Sequence, residues 1–302
     1  MIVYEIENLC KTYQGQTQPA NKNISLQIYQ GEIFGILGDN GAGKSTLVRQ
    51  MANLLKSDFG NITFFQQNIT EARDLVQMNV GYMPQESGAL NNLTVSEALY
   101  FTAHLRGMSR QDARKECEAL LDTWQIGYLR HQPSSRLSGG QRRLLRLAVA
   151  IAGSPPVLIL DEPTNDLDPQ RRKLVWDILR RLNTEKGTTI ILITHDAIEA
   201  EKAIQRVGIM VSGELVAVGR PSELKAKIDR ILRLELFFSP ENPPTLPSDL
   251  NYHFLEPGHW QVLLQWQQVT STLNHLNLEQ IDDFRLYSAT LEDLYLHYAT
   301  KP

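Results

Sequence analysis

"IFGILGDNGAGKST", residues 33 to 46, decides how the rest of the chain is read. IFGILG is a short apolar run of strand type, and GDNGAGKST, 38 to 46, satisfies G-x-x-x-x-G-K-[ST]. From Lys44 to Leu55 the apolar Leu47, Val48, Met51, Leu54 and Leu55 fall on one helical face, so the stretch reads strand, glycine loop, helix. That is the context a phosphate loop requires. Gly38, Gly41 and Gly43, with Asp39, Asn40 and Ala42 between them, let the backbone wrap closely, so that successive N–H groups and the helix N-terminus point at negative charge. Lys44 then reaches the β- and γ-phosphates, Ser45 ligates Mg²⁺ and Thr46 adds a donor nearby.

Working outward, alternation at Ile2, Tyr4 and Ile6 and again at Ile24, Leu26 and Ile28 predicts two half-buried strands ahead of the loop. Downstream, Thr94 with Glu97 and Ser109 with Asp112 each open a helix in the manner of a capping box, which makes 94 to 153 a helical insertion. Strands return at VLILD, 157 to 161, and TIILITH, 189 to 195, separated by a helix that starts at Asp168-Pro169. Strand, helix, strand predicts a parallel sheet. VLILDEP ends a buried strand with two carboxylates, costly to bury unless they hold something. Asp161 suits a metal, and Glu162, with its longer reach, can polarise an attacking water. His195 stands at a strand's carboxyl end, the edge where ligands bind in an open parallel sheet, and can donate to a γ-phosphate.

From about residue 229 the pattern changes to a small α+β appendage. ILRLELFF, 231 to 238, and HWQVLLQW, 259 to 266, read as strands, as does 283 to 288, with helices near 268 to 276 and at LEDLYLHY. The intervening SPENPPTLPSDL, 239 to 250, is a loop. Composition sets outer bounds. The chain has 302 residues, 42% of them hydrophobic, enough for a real core. A net charge of −4 gives no broad basic face for nucleic acid. Cys10 and Cys117 form no framework and no metal spacing. Glu5 and Glu7 stand where a secretion signal would carry positive charge, and no apolar run approaches the ~18–20 residues that cross a bilayer. The expectation is an internal protein without a span of its own.

LSGGQ, 137 to 141, is a second candidate anion site. Ser138, the N–H groups of Gly139 and Gly140 and a helix N-terminus suit an exposed phosphate, although Ser138 and Gln141 also form the S-x-x-Q of an ordinary helix cap. Tyr13, by default a half-buried strand aromatic, and Gln85, in VGYMPQE, have equally plain structural readings.

Taken together these motifs, over residues 1 to about 228, resemble the nucleotide-binding subunit of ABC transporters. The resemblance implies a P-loop NTPase with an ABC-type core, a mixed sheet plus the helical insertion, and ATP with Mg²⁺ as cofactors. It implies two ATP molecules sandwiched between head-to-tail subunits, the signature of one facing the phosphate loop of the other. It assigns Tyr13 to adenine stacking, Gln85 to Mg²⁺ and to contact with a membrane partner, Asp168 to the loop across the dimer, and His195 to the γ-phosphate. LYFTAHLRGMS, 99 to 109, VAVGRPSELK, 216 to 225, and SATLEDLYLHY, 288 to 298, are similar to ABC-2 type drug and multidrug exporters. TNDLDP, 164 to 169, departs from the commoner TSGLDP. The implied protein is a peripheral ATPase on the cytoplasmic side of the membrane, a homodimer docked on separate six-helix permease subunits through Ser87 to Leu93. The alternatives are a soluble ABC ATPase acting on the ribosome or the chromosome, and a P-loop kinase. The first usually carries two cassettes or long heptad segments, and the second needs neither LSGGQ nor Glu162.

Overall fold

A computed structural model of the protein describes residues 1–302 apart from 86–89, 195–200, 202, 229–230, 247–249, 289 and 300–302. The chain forms two compact units, Met1–Gly219 and Arg220–Pro302. In order, the first contains β1 (Ile2–Lys11), β2 (Asn21–Tyr29), β3 (Ile33–Leu37), α1 (Lys44–Met51), β4 (Phe59–Phe64), β5 (Gln67–Asn68), α2 (Arg73–Asn79), β6 (Val80–Met83), α3 (Val95–Leu105), α4 (Arg110–Thr123), α5 (Gly139–Ile151), β7 (Val157–Asp161), α6 (Pro169–Lys186), β8 (Thr189–Ile193), β9 (Arg206–Val211) and β10 (Glu214–Gly219).

These strands make two sheets. An antiparallel one has the order β2-β1-β4-β5, and a mixed one has the order β10-β9-β3-β8-β7-β6, parallel from β9 to β6 with β10 antiparallel at its edge. Every residue of β3, β7 and β8 is buried, which is why they read as unbroken apolar runs. Strand β2 buries alternate residues instead, as a half-covered antiparallel strand does. Leu47, Val48 and Met51 of α1 share one core with Tyr4, Ile6, Ile24 and Ile28 of the antiparallel sheet and Ile36, Ile159 and Ile191 of the parallel one. Each such aliphatic side chain contributes about 1.5–3 kcal/mol by burial. Register aligns the carboxyl ends: Ile36 pairs with Ile193, Ile193 with Asp161, and Leu160 with Met83. The phosphate loop, Asp161-Glu162 and Gln85 therefore leave the same edge of the sheet.

Helix α1 ends at Met51 rather than running to Leu55. Asn53 takes φ +56, its N–H bonds the Gln50 carbonyl at 2.9 Å and the Leu54 N–H bonds Arg49 at 2.8 Å, a Schellman stop. Leu54 is consequently 66% exposed and not part of the buried face. The insertion is helical as expected. Thr94 caps α3 with a reciprocal bond from its own N–H to Glu97 (2.8 Å), and the Ser109 side chain accepts from the Asp112 N–H at 3.1 Å. Just beyond α3, the Arg106 guanidinium donates to the carbonyls of Val149 (3.3 Å), Ala150 (2.9 Å) and Ala152 at the end of α5, and to Val80 (3.4 Å) in β6. A cation suits the negative end of a helix, and it satisfies carbonyls that have no partner within the helix. Burial pulls this guanidinium down to about 10, so it stays charged at neutral pH.

The second unit contains α7 (Pro221–Ile228), β11 (Ile231–Phe237), β12 (Asn251–Glu256), β13 (His259–Gln265), α8 (Val269–His275), β14 (Asp283–Tyr287) and α9 (Leu291–Ala299). Its sheet, β12-β13-β11-β14, is antiparallel throughout. Leu232, Leu234, Leu236, Val262 and Leu264 line one face and form a core with Leu273 and Leu276. The other face is polar, with Arg233 bonded to Asp293 at 2.6 Å and the Tyr287 hydroxyl to Glu235 at 2.7 Å. Helix α7 packs with α9, so the division falls after Gly219, ahead of α7, rather than after 228. Strand β12 was not anticipated. Among the described residues no helix is long and apolar enough to cross a membrane.

Candidate active site

A cleft of about 450 Å³ opens at the carboxyl edge of the parallel sheet. Strand β3 delivers the loop 38–43 to one side of it, and α1 begins at Lys44. Gly43 is the N-cap, with φ +96 and no side-chain cap bond. A Cβ at Gly43 would stand 2.0 Å from the Ala20 carbonyl oxygen, so only glycine brings the loop this close to the chain after β1. The buried Asn21 side chain pins the same turn by donating to the Gly43 carbonyl at 3.1 Å. Lys44 Nζ donates to the carbonyls of Gly38 (2.7 Å) and Asp39 (2.8 Å). Burial lowers the pKa of its ammonium, opposed by the charges of Glu162, Asp161 and Asp39.

Strand β7 supplies the opposite wall. Ser45 Oγ, in the first turn of α1, donates to Asp161 Oδ2 at 3.0 Å, so the two candidate metal ligands stand within hydrogen-bond reach. Asp161 is 2% exposed, and burial raises its carboxyl above the usual range; the Ser45 bond opposes this and the Glu162 charge adds to it. Glu162 sits at φ +54, a conformation costing about 1–3 kcal/mol for a side-chain-bearing residue. Three bonds hold it there. Its N–H goes to the Ile193 carbonyl at 2.9 Å, and its carbonyl accepts from Arg143 Nη1 at 2.8 Å and from the Asn165 N–H at 3.4 Å. Gln85, following β6, also lines the cleft, and the Tyr13 hydroxyl lies 3.2 Å from Thr46 Oγ1 at its entrance.

Asn40, Gly41, Gly43, Lys44, Ser45, Thr46, Tyr13, Gln85, Asp161 and Glu162 thus come together around one cleft, while Gly38, Asp39 and Ala42 shape the loop without lining it. Gln16, Ala20 and Ile193 line it too. Nothing in their residue types marks them; Gln16 carries only the weak signal of a polar loop after Tyr13. The signature lies elsewhere. Ser138 caps α5, accepting from the Gln141 N–H at 3.3 Å while Gln141 Oε1 accepts from the Ser138 N–H at 2.9 Å. None of 138–141 lines the cleft. Asp168 caps α6, accepting from the Arg171 N–H at 2.9 Å, and is exposed. His195 lies outside the described residues.

A glycine loop running into an uncapped helix, with a lysine in its first turn and a buried serine–aspartate pair across the cleft, defines a P-loop nucleoside triphosphatase. The family described as ABC transporter matches residues 21–165. The daunorubicin/doxorubicin resistance ATP-binding protein DrrA of Streptomyces peucetius is 37% identical over 233 residues, 77% of this chain and 70% of that protein. The retinal-specific phospholipid-transporting ATPase ABCA4 of Homo sapiens is 36% identical over 220 residues, and the aligned stretch spans 10% of that protein. Among solved structures, cbiO1 from Clostridium perfringens, part of the ABC transporter complex cbiONQ, superposes with TM-score 0.65 at 31% identity, covering 75% of this chain and 91% of that one. A dimeric post-hydrolysis state of the cassette MJ0796 bound to ADP and Pi gives TM-score 0.67 at 26% identity, covering 72% and 98%. The chain belongs to the ABC transporter family, as an ATP-binding and ATP-hydrolysing cassette.

Proposed function

We propose that this chain powers a membrane exporter of small molecules, drugs or lipids, working as a pair of copies docked on separate transmembrane subunits at the cytoplasmic face. One observation carries the reading: a cleft equipped for ATP and a signature segment occur on one chain, yet the signature does not line the cleft. The ATP phosphates lie on the N–H groups of the loop and on Lys44, with Tyr13 stacked on adenine. A hard cation fits the opposite wall, because the Ser45 hydroxyl, the Asp161 carboxylate and the Gln85 side chain offer oxygen donors and Asp161 is desolvated. Ser45, Asp161 and Gln85 would hold Mg²⁺ there together with oxygens of the bound nucleotide, since Mg²⁺ sites commonly combine one or two carboxylates with substrate phosphates. The metal would supply positive charge to neutralise the β- and γ-phosphates.

Glu162 then accepts the proton of the attacking water, and His195 donates to the γ-phosphate. Ser138, Gly139, Gly140 and Gln141 of one copy meet the γ-phosphate held by the other, with Asp168 against the loop across the interface. Closing on two ATP molecules changes the distance between the two helical insertions, and transmembrane helices docked near Ser87 to Leu93 convert that change into alternating access. Residues 220–302 form an accessory domain. DrrA, a drug-resistance protein by name, and ABCA4, a phospholipid-transporting ATPase by name, support the cargo classes. The test is fractionation. Co-expressed with a polytopic membrane protein encoded beside it, the chain is expected in the membrane pellet, and without that partner in the supernatant. Sedimentation with ribosomes in both cases overturns the exporter.

A further inference from the structure

Two arginines of the signature helix end on backbone carbonyls of residues that line the cleft. Arg143 and Arg146 stand three positions apart on α5, on one helical face. Arg143 is 8% exposed; its Nη1 donates to the Glu162 carbonyl at 2.8 Å and its Nη2 meets Asp166 Oδ2 at 3.3 Å. Arg146 Nη1 donates to the Gln85 carbonyl at 3.0 Å. Glu162 and Gln85 follow adjacent parallel strands, β7 and β6, and both line the same cleft.

The backbone there is the kind that needs holding. Glu162 at φ +54 is kept in the left-handed region partly by Arg143. Asp166 also takes a positive φ, +58, at the place where the commoner TSGLDP carries glycine. Aspartate tolerates that conformation and, unlike glycine, offers Arg143 a counter-charge. A helix is stiff over two turns, so a shift of Ser138 at the cap of α5 is carried to both guanidinium groups.

We infer that Arg143 and Arg146 are positioning residues that tie the signature segment to this chain's own cleft. Seating Ser138 and the start of α5 on a partner's nucleotide fixes the two carbonyls and thereby aims the side chains of Glu162 and Gln85. Each site then hydrolyses fast only when the other is filled, a coupling between two bound nucleotides. The inference rests on the two-copy reading above. Neither arginine lines the cleft.

The full chain is tested as wild type and as Arg146→Gln, Arg146→Lys, Arg143→Lys and Asp166→Asn. Thermal midpoint, affinity for a fluorescent ATP analogue, and steady-state hydrolysis against ATP concentration are measured for each. Arg146→Gln is expected to keep midpoint and affinity while kcat falls about tenfold, the worth of one charged hydrogen bond, and the Hill coefficient drops toward one. Arg146→Lys, which still donates, restores most of the rate. Arg143→Lys avoids leaving the buried site without a cation, and with Asp166→Asn it gives a smaller loss in kcat at unchanged KM. Wild-type kcat and Hill coefficient in both Arg146→Gln and Asp166→Asn overturn the inference, as do parallel losses of midpoint, affinity and rate that lysine does not rescue. A Glu162→Gln chain that stays monomeric with ATP overturns the two-copy reading itself. An ATP-dependent dimer combined with unaltered arginine variants overturns only the coupling.

Discussion

Helices α1 and α5 both open at glycines, yet they treat their first turns in opposite ways. The N-cap of α1 is Gly43, with no side-chain cap and no acid in the first turn, and its N–H groups face a cleft. The N-cap of α5 is Ser138, in a complete capping box with Gln141, on the exposed surface. A helix start without a cap leaves donors unsatisfied and calls for a ligand to complete it, whereas a capped start folds by itself. In the function proposed above, the first is a pocket that phosphate completes. The second is a stable face whose Ser138 hydroxyl hydrogen is not used by the cap, which engages only a lone pair on oxygen; in the function proposed above, that face turns toward a nucleotide held by the other copy.

Four changes sharpen or break that contrast. Glu162→Gln, in the cleft, should slow hydrolysis by about 10²–10⁴ while ATP still binds, so that light scattering with ATP reports twice the monomer mass. A monomer with undiminished hydrolysis would remove both the base and the pair. Lys44→Ala removes charged bonds to phosphate and should weaken ATP binding by about a hundredfold with the fold intact, read by analogue titration and circular dichroism. Ser138→Asp isolates the other half. Aspartate caps a helix as well as serine does, so the thermal midpoint should hold, while its charge repels phosphate and should abolish the ATP-dependent dimer formed in the Glu162→Gln background. A dimer that survives the aspartate assigns Ser138 to the cap alone.

The smallest expected effect concerns pH. Burial raises the Asp161 carboxyl above its unfolded value, opposed by the bond from Ser45. The folded chain therefore keeps a proton that the unfolded chain has released, and the stability this contributes on the acid side is lost as pH rises through the raised value. Asp161→Asn, in buffer free of nucleotide and magnesium, should flatten that part of the profile and raise the neutral-pH melting point. An unchanged profile would show that the carboxylate bears no desolvation cost.

Where a residue's partners are near in sequence, its place could be read beforehand. The caps at Thr94, Ser109, Ser138 and Asp168 follow from bonds spanning three residues, and β3, loop and α1 follow from a spacing. The strand VGYM of β6 is short, apolar and without alternation, so only its pairing with β7 identifies it. Leu54 has the right helical phase but follows a stop made by Asn53, a residue whose positive φ is an option rather than a rule. QRRLLRL fixes the charge on α5, yet where each guanidinium ends depends on β6 and β7, which are distant in the chain.

Arg106, which binds the last carbonyls of α5 and the first residue of β6, gives that helix a fulcrum. From Ile151 back to Gly139 the helix is an arm of about 20 Å, so a turn of about 10° about its held end sweeps Ser138 through roughly 3 Å. That displacement is the difference between a hydrogen bond made and one lost. The displacement is smallest where Arg106 meets Val80, grows along the helix through Arg146 and Arg143, and is largest at Ser138, the tip that meets the other copy in the two-copy reading proposed above.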